Sequence, residues 1–307
     1  MSLFLRALPI GLISISLFSA VRSKPVEVTG FRSFSKGITF DYDGAAYVSH
    51  GRFLSRVSLD GKKTYWAETG APDGHKVLAD GTHLVCDGSR HAVVHLDAQG
   101  KFLGLASSEC DGKPLSEPKD LTLDPKGGFY FTDSGGTRER RIGEVLFVDR
   151  KGLTHRAAGG LHFPQGIVLR PDGKMLLVAE SLRNRILSYD VLAPGQLGRM
   201  KVLADLPQME KGQIANEPDG LCLDQHGNLY VAHYGMGMVE VLSRKGRLIR
   251  QYPAGLLTAS SLTFGGPKMD QLFITGAPGE EGRGPGALFR FTVPGERGLP
   301  LPPRRIP

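Results

Sequence analysis

One phrase recurs six times along this chain, and few folds can accommodate it. Its fullest copy is Glu217-Pro218-Asp219-Gly220-Leu221-Cys222-Leu223-Asp224, then Gln225-His226-Gly227-Asn228, then Leu229-Tyr230-Val231-Ala232. Leu221 and Leu223 alternate with Cys222 and Asp224, the period of two that marks a strand. Residues 224–227 have turn chemistry, with Gly227 free to take a positive φ. A mostly apolar strand follows. Related copies begin at Ile38, Lys76, Leu121, Ile167 and Leu262.

The copies are spaced by roughly 40–55 residues, a period typical of solenoids and propellers. About four short strands per copy select the propeller. The predicted fold class is therefore all-β: a six-bladed β-propeller with four-stranded antiparallel blades. One blade cannot bury both faces of its sheet; stacking on its neighbours does so. The 41 Gly and 20 Pro among 307 residues serve many turns, and 40% hydrophobic residues supply a sizeable core. Residues 24–297 read as a single domain. The Pro- and Arg-rich segment 298–307 reads as a disordered tail.

Residues 1–23 read as a secretory signal: Arg6, an apolar run over 7–20, then Val21-Arg22-Ser23 for cleavage after Ser23. No Cys follows the apolar run, so no lipid anchor is predicted. Nor is a membrane span expected once the signal is removed. The expected location is periplasmic or extracellular. The net charge of +7 comes from scattered Lys and Arg without interleaved aromatics, which argues against nucleic acid as a partner. Propeller edges are short, so a monomer is expected. Of the three cysteines, Cys86 and Cys222 fall in strand patterns, while Cys110 falls in a polar loop. No pair has metal-ligand spacing. A Cys86–Cys110 disulfide stays open.

In a propeller the innermost strands line a central channel, and the residue leading into each one faces its mouth. Aligning the copies gives Lys36, Gly74, Lys119, Gln165, Asp219 and Ser260, with His75 competing with Gly74 in the second copy. Pro118-Lys119-Asp120, Pro164-Gln165-Gly166 and Pro218-Asp219-Gly220 are also ordinary turn sequences. A turn, however, does not require a polar side chain after each Pro, and functional side chains recur at four of the six positions.

The phrases Gly74-His75-Lys76-Val77-Leu78, Pro118-Lys119-Asp120-Leu121, Phe163-Pro164-Gln165-Gly166-Ile167, Ala179-Glu180-Ser181 and Pro218-Asp219-Gly220-Leu221 resemble the SMP-30/gluconolactonase/LRE-like family over about residues 35–293. The resemblance implies a six-bladed propeller with a divalent cation, often calcium, at its axis, and hydrolysis of lactones and similar esters. It implies ligands at four of the axis positions: a Glu, two Asn and an Asp. Here Lys36 stands at the Glu position, Lys119 and Gln165 at the Asn positions, and only Asp219 matches. Calcium takes six to eight oxygens. An ammonium offers three donors and no lone pair. Two unit charges ~4 Å apart interact by about 4 kcal/mol at an effective dielectric of 20. Two lysines beside calcium are therefore a poor arrangement. Asp219 and Gln165 are the candidate metal ligands if a cation binds, with Glu217 or Asn216 as added donors. Alternatively Lys36 or Lys119 pairs with Asp219 and takes the cation's place.

Two functional expectations follow. The first is an exported lactonase-like hydrolase acting on a small lactone or sugar-like ester. Asp219 would be its base, Lys119 would polarise the carbonyl, and His75 would carry protons. Gln165, Lys36, Asp120 and Arg183 would contact the substrate. The second is a non-catalytic, metal-independent propeller that binds a sugar-like or anionic ligand through Lys36, Lys119 and Asp219. The sequence has no Gly-x-Ser-x-Gly elbow, which argues against a serine hydrolase.

Overall fold

The computed structural model describes residues 24–209, 214–279, 284–301 and 303. The predicted signal, residues 1–23, lies outside them. Six antiparallel sheets form the blades. Blade one comprises Ser35–Phe40, Ala46–His50, Phe53–Val57 and Lys63–Glu68, from the axis outward. Blade two comprises Pro72–Val77, His83–Asp87, Ala92–Leu96 and Phe102–Ser107. Blade three comprises Pro118–Leu123, Phe129–Asp133, Gly143–Val148 and Thr154–Leu161. Blade four comprises Pro164–Leu169, Met175–Glu180, Arg185–Ala193 and Lys201–Asp205. Blade five comprises Glu217–Leu223, Leu229–Tyr234, Met238–Leu242 and Leu248–Pro253. The fold class is the one read from the repeat.

Blade six shows what the repeat does not reveal. Thr258–Gly265, Gln271–Ala277 and Gly286–Thr292 supply three strands, and the fourth is Val26–Phe31 from the start of the domain. It pairs antiparallel with Gly286–Thr292, Val26 opposite Arg290 and Phe31 opposite Gly286. The two ends of the domain thus meet in one sheet. The expected disordered tail also starts too early. Gly298 bridges to Asp224, and Leu299 packs on the cluster between blades four and five. Each contact removes a polar or apolar group from water, which holds these residues in place. Residues 302 and 304–307 lie outside the described residues.

The core lies between blades. Tyr130 and Phe147 of blade three pack with Ile167, Leu176 and Val178 of blade four. Tyr230 of blade five meets Phe264 of blade six edge to face, and Phe40 of blade one meets Phe273 of blade six in the same way. Each such side chain stabilises the fold by about 1.5–3 kcal/mol through burial. Cys86, Cys110 and Cys222 are free thiols, and Cys86 and Cys110 share the cluster between blades two and three without a disulfide.

Every innermost strand loses register with its neighbour near its start. The shifts fall at Ser35/Ile38, Pro72/His75, Pro118/Leu121, Pro164/Ile167, Pro218/Leu221 and Ala259/Ser261. Such an irregularity re-aims a side chain out of the sheet. In four of the six strands a glycine follows the re-aimed residue (Gly37, Gly74, Gly166 and Gly220) and lets neighbouring inner strands touch. A Cβ at Gly37 would stand 2.0 Å from the Asp73 carbonyl oxygen, and one at Gly166 would stand 2.1 Å from that of Asp219. Only glycine fits so close an approach.

Candidate active site

Five of the six re-aimed positions line one cavity of 410 Å³ at the axis: Lys36, Asp73, Lys119, Gln165 and Asp219. The sixth, Ser260, is buried and donates its hydroxyl hydrogen to the Ser35 carbonyl at 2.7 Å. The second copy is thereby corrected by one residue. Asp73, not Gly74 or His75, faces the channel. Pro72-Asp73-Gly74 repeats Pro218-Asp219-Gly220, so the signal was present in the sequence.

The lysines meet Asp73 rather than Asp219. Lys36 Nζ donates to Asp73 Oδ2 at 3.0 Å, and Lys119 Nζ lies 3.9 Å from the same oxygen. Lys119 Nζ also donates to Glu117 Oε1 at 2.6 Å, while Ser134 Oγ donates to Glu117 Oε2 at 2.9 Å. The Asp73 charge pushes the Lys36 pKa up, so Lys36 remains an ammonium. Burial pushes the Glu117 carboxyl up, but the Lys119 charge and hydrogen bond and the Ser134 hydrogen bond outweigh it and hold it low. Asp219 is the opposite case. Burial, reinforced by the Asp73 charge, raises it well above the ordinary carboxylate range, against the pull of Lys119 and Lys36.

A cationic wall completes the cavity. Arg138 forms an ion pair with Glu217, and its guanidinium lies 5.1 Å from the Phe163 ring centre. Lys119 Nζ stands 5.5 Å from the same ring. Such contacts attract a cation to the face of an aromatic ring.

A divalent cation does not fit these residues. Among the described residues no three His, Cys, Asp or Glu side chains group as metal ligands. The space beside Asp73 is taken by two ammonium groups. Glu217 is committed to Arg138, and Asn216 Oδ1 accepts the Met209 N–H at 2.7 Å. The remaining oxygens are fewer than calcium takes.

Three expected site residues lie elsewhere. His75 is buried between blades one and two, where its Nε2 is 2.7 Å from His83 Nδ1 and its ring packs near Tyr47 and Trp66. It occupies the strand position that Leu221 fills in blade five, which is a core position. It does not line the cavity. Asp120 does not line the cavity. Its Oδ1 accepts the Leu121 N–H at 2.8 Å and its Oδ2 the Ile167 N–H at 3.3 Å, joining blade three to blade four. Arg183 is exposed in the short 3-10 turn Ser181–Arg183 and also does not line the cavity, although Ser181 does. The arginine of the site is Arg138. It comes from a loop outside the repeat and carried no sequence signal.

The comparisons with known proteins agree with the propeller fold. The model of the SMP-30/Gluconolactonase/LRE-like region matches residues 37–278. The chain is 31% identical to lactonase drp35 of Staphylococcus saprophyticus over 227 residues, which is 70% of this chain and 68% of that one. It is 24% identical to the diisopropyl-fluorophosphatase of Loligo vulgaris over 241 residues, covering 69% and 76% of the two chains. The structure resembles a gluconolactonase from Xanthomonas campestris with a TM-score of 0.75 at 25% identity, over 88% of this chain and 89% of that one. It shares its fold with regucalcin of Agrobacterium tumefaciens, described as a calcium-binding protein, with a TM-score of 0.74 at 20% identity over 91% and 98% of the two chains. Repeat, axial cavity and sequence relatives together place the chain in the SMP-30/gluconolactonase/LRE-like family.

Proposed function

We propose that this chain is an exported hydrolase that opens a small lactone or related ester in the axial cavity without a resident divalent cation. The observation that carries the reading is the meeting of Lys36 and Lys119 at the Asp73 carboxylate, 3.0 and 3.9 Å away, in the cavity that also holds Asp219. The relatedness to lactonase drp35 supports the reaction class. The apolar run over residues 7–20 supports export. The proposed species is a monomer.

Each lysine keeps N–H donors beyond its ion pair. These polarise the lactone carbonyl and stabilise the oxyanion as it forms. Gln165 offers an amide that orients the ring. Asp219, as carboxylate, removes a proton from water as the water oxygen bonds to the carbonyl carbon. When the ring C–O bond breaks, the departing oxygen takes that proton back from Asp219. The raised pKa suits this exchange, because a more basic carboxylate takes a proton from water more readily.

The test is turnover of glucono-δ-lactone by dialysed protein, with and without EDTA, alongside elemental analysis. The expected result is chelator-insensitive opening and no stoichiometric metal. Loss of activity with EDTA, restored by calcium, overturns the metal-free reading. The closed pairs Lys36–Asp73 and Lys119–Glu117 also suit a binding module. Absence of turnover across a lactone panel, with calorimetric binding of gluconic acid, selects that reading.

A further inference from the structure

The axial cavity is one half of a longer cleft. A second cavity of 330 Å³ lies over blades two and three and shares Lys36, Asp73 and Lys119 with the first. The Lys36–Asp73–Lys119 group is therefore the common floor of two lobes. We infer that the substrate has two parts: a lactone ring in the axial lobe, joined to a second hydroxylated ring in the lateral lobe, as in the lactone of a disaccharide aldonic acid. This rests on the lactone-opening reading proposed above.

The chemistry of the lateral lobe selects its occupant. Its walls come from Ala71, Gly88, Ser89, His91, Ser116 and Glu117. None is a large apolar side chain. An acyl chain placed there would find no large apolar side chain to pack against. Hydroxyl groups, by contrast, meet two hydroxyls, an imidazole and a carboxylate. Glycine keeps the lobe open. A Cβ at Gly88 would come within 3.2 Å of Glu117 Cγ, pressing on the side chain that holds Lys119. The axial lobe differs. Phe34, Ile214 and Tyr234 give it apolar surface beside Gln165 and Asp219. One half thus suits the flat face of a lactone and the other a fully hydroxylated ring. Each lobe lies in or near the usual range of roughly 300–1,000 Å³ for small-molecule sites.

The experiment compares kcat/KM for glucono-δ-lactone and lactobiono-δ-lactone, in wild type and in Ser89→Trp, with calorimetry on gluconic and lactobionic acids as a readout independent of turnover. The two-ring lactone is expected to be favoured about tenfold or more, and Ser89→Trp to reduce that selectivity ratio about tenfold. The two-ring acid is expected to bind more tightly than gluconic acid, by a margin that Ser89→Trp removes. A ratio at or below one in wild type, or a ratio that Ser89→Trp leaves unchanged, overturns the two-lobe substrate while leaving lactone opening intact. If neither lactone is opened, the hydrolase reading fails. The two-lobe cleft then stands or falls on whether lactobionic acid outbinds gluconic acid and Ser89→Trp abolishes the difference.

Discussion

Lys36 and Asp73 stand on the innermost strands of adjacent blades, with Nζ and Oδ2 3.0 Å apart. An internal ammonium therefore occupies the carboxylate that would otherwise be free for a cation. Replacing both axial ammoniums with oxygen donors should reverse the preference. The double variant Lys36→Glu/Lys119→Asn is expected to bind calcium by calorimetry where the wild type gives no heat, because Asp73, Glu117 and Asp219 are then left without counter-charge. No heat from a folded double variant would show that the lysines are not what excludes the ion.

Asp219→Asn is expected to lower kcat/KM on an accepted lactone by roughly 10²–10⁴-fold, the usual contribution of a positioned acid–base group. Stability should move the other way. The folded pKa of Asp219 lies above its unfolded value, so its neutral form is favoured in the fold. The stability present below about pH 4 is lost as pH rises toward the folded pKa. Asn cannot ionise, so urea midpoints of the variant should exceed wild type at pH 8 and converge with it near pH 3.

How much of this was legible beforehand differs from place to place. The ring was legible because alternating strands and Asp-Gly turns recur at one period, and periodicity survives in sequence. Asp73 was missed although Pro72-Asp73-Gly74 matches Pro218-Asp219-Gly220. The cause is His75, a polar residue at a core position, which blurred the apolar alignment of that copy. Its buried hydrogen bond to His83 is a tertiary fact with no local signature. Arg138 and the outermost strand of blade six were illegible for a related reason. A loop residue and a pairing across the whole domain follow from three-dimensional closure, which no short window encodes.

Buried imidazoles make the fold acid-sensitive. Burial lowers His83 to about 4 and His50 to about 4, and pushes His75 well below its ordinary value. These depressed values stabilise the fold above about pH 6.5, and the contribution is lost as pH falls through 4. Stability should drop by at least about 2 kcal/mol between pH 7 and pH 4 from His83 alone. His83→Phe is expected to cost about 1–3 kcal/mol at pH 7, because His75 Nε2 loses its partner. It should also flatten the acid limb of a urea-midpoint profile. An unchanged profile would remove His83 as a contributor.

Gly37→Ala tests how the axis is assembled. The new methyl would stand 2.0 Å from the Asp73 carbonyl oxygen, so blades one and two must part. The expected cost is about 1–3 kcal/mol in a denaturation curve. Loss of turnover should exceed what that destabilisation explains, since Lys36 and Asp73 sit on the two strands forced apart.

Phe31 is 4% exposed and lies at the C-terminal end of the strand that completes blade six, its ring centre 4.6 Å from that of His50. Phe31→Ala is expected to destabilise by about 3–5 kcal/mol in chemical denaturation. Removing Val26–Phe31 entirely should abolish the cooperative transition.

That shared sheet also sets an order of events during synthesis. Val26–Phe31 precedes every other blade strand in the sequence, and its partner Gly286–Thr292 follows all of them. No nascent chain that stops short of the partner can clasp itself shut, however many blades have already stacked. Until then the first strand presents an unpaired edge, and the ring stays open. Closure thus waits for Gly286–Thr292, after Thr258–Gly265 has already added the sixth wall of the axial channel.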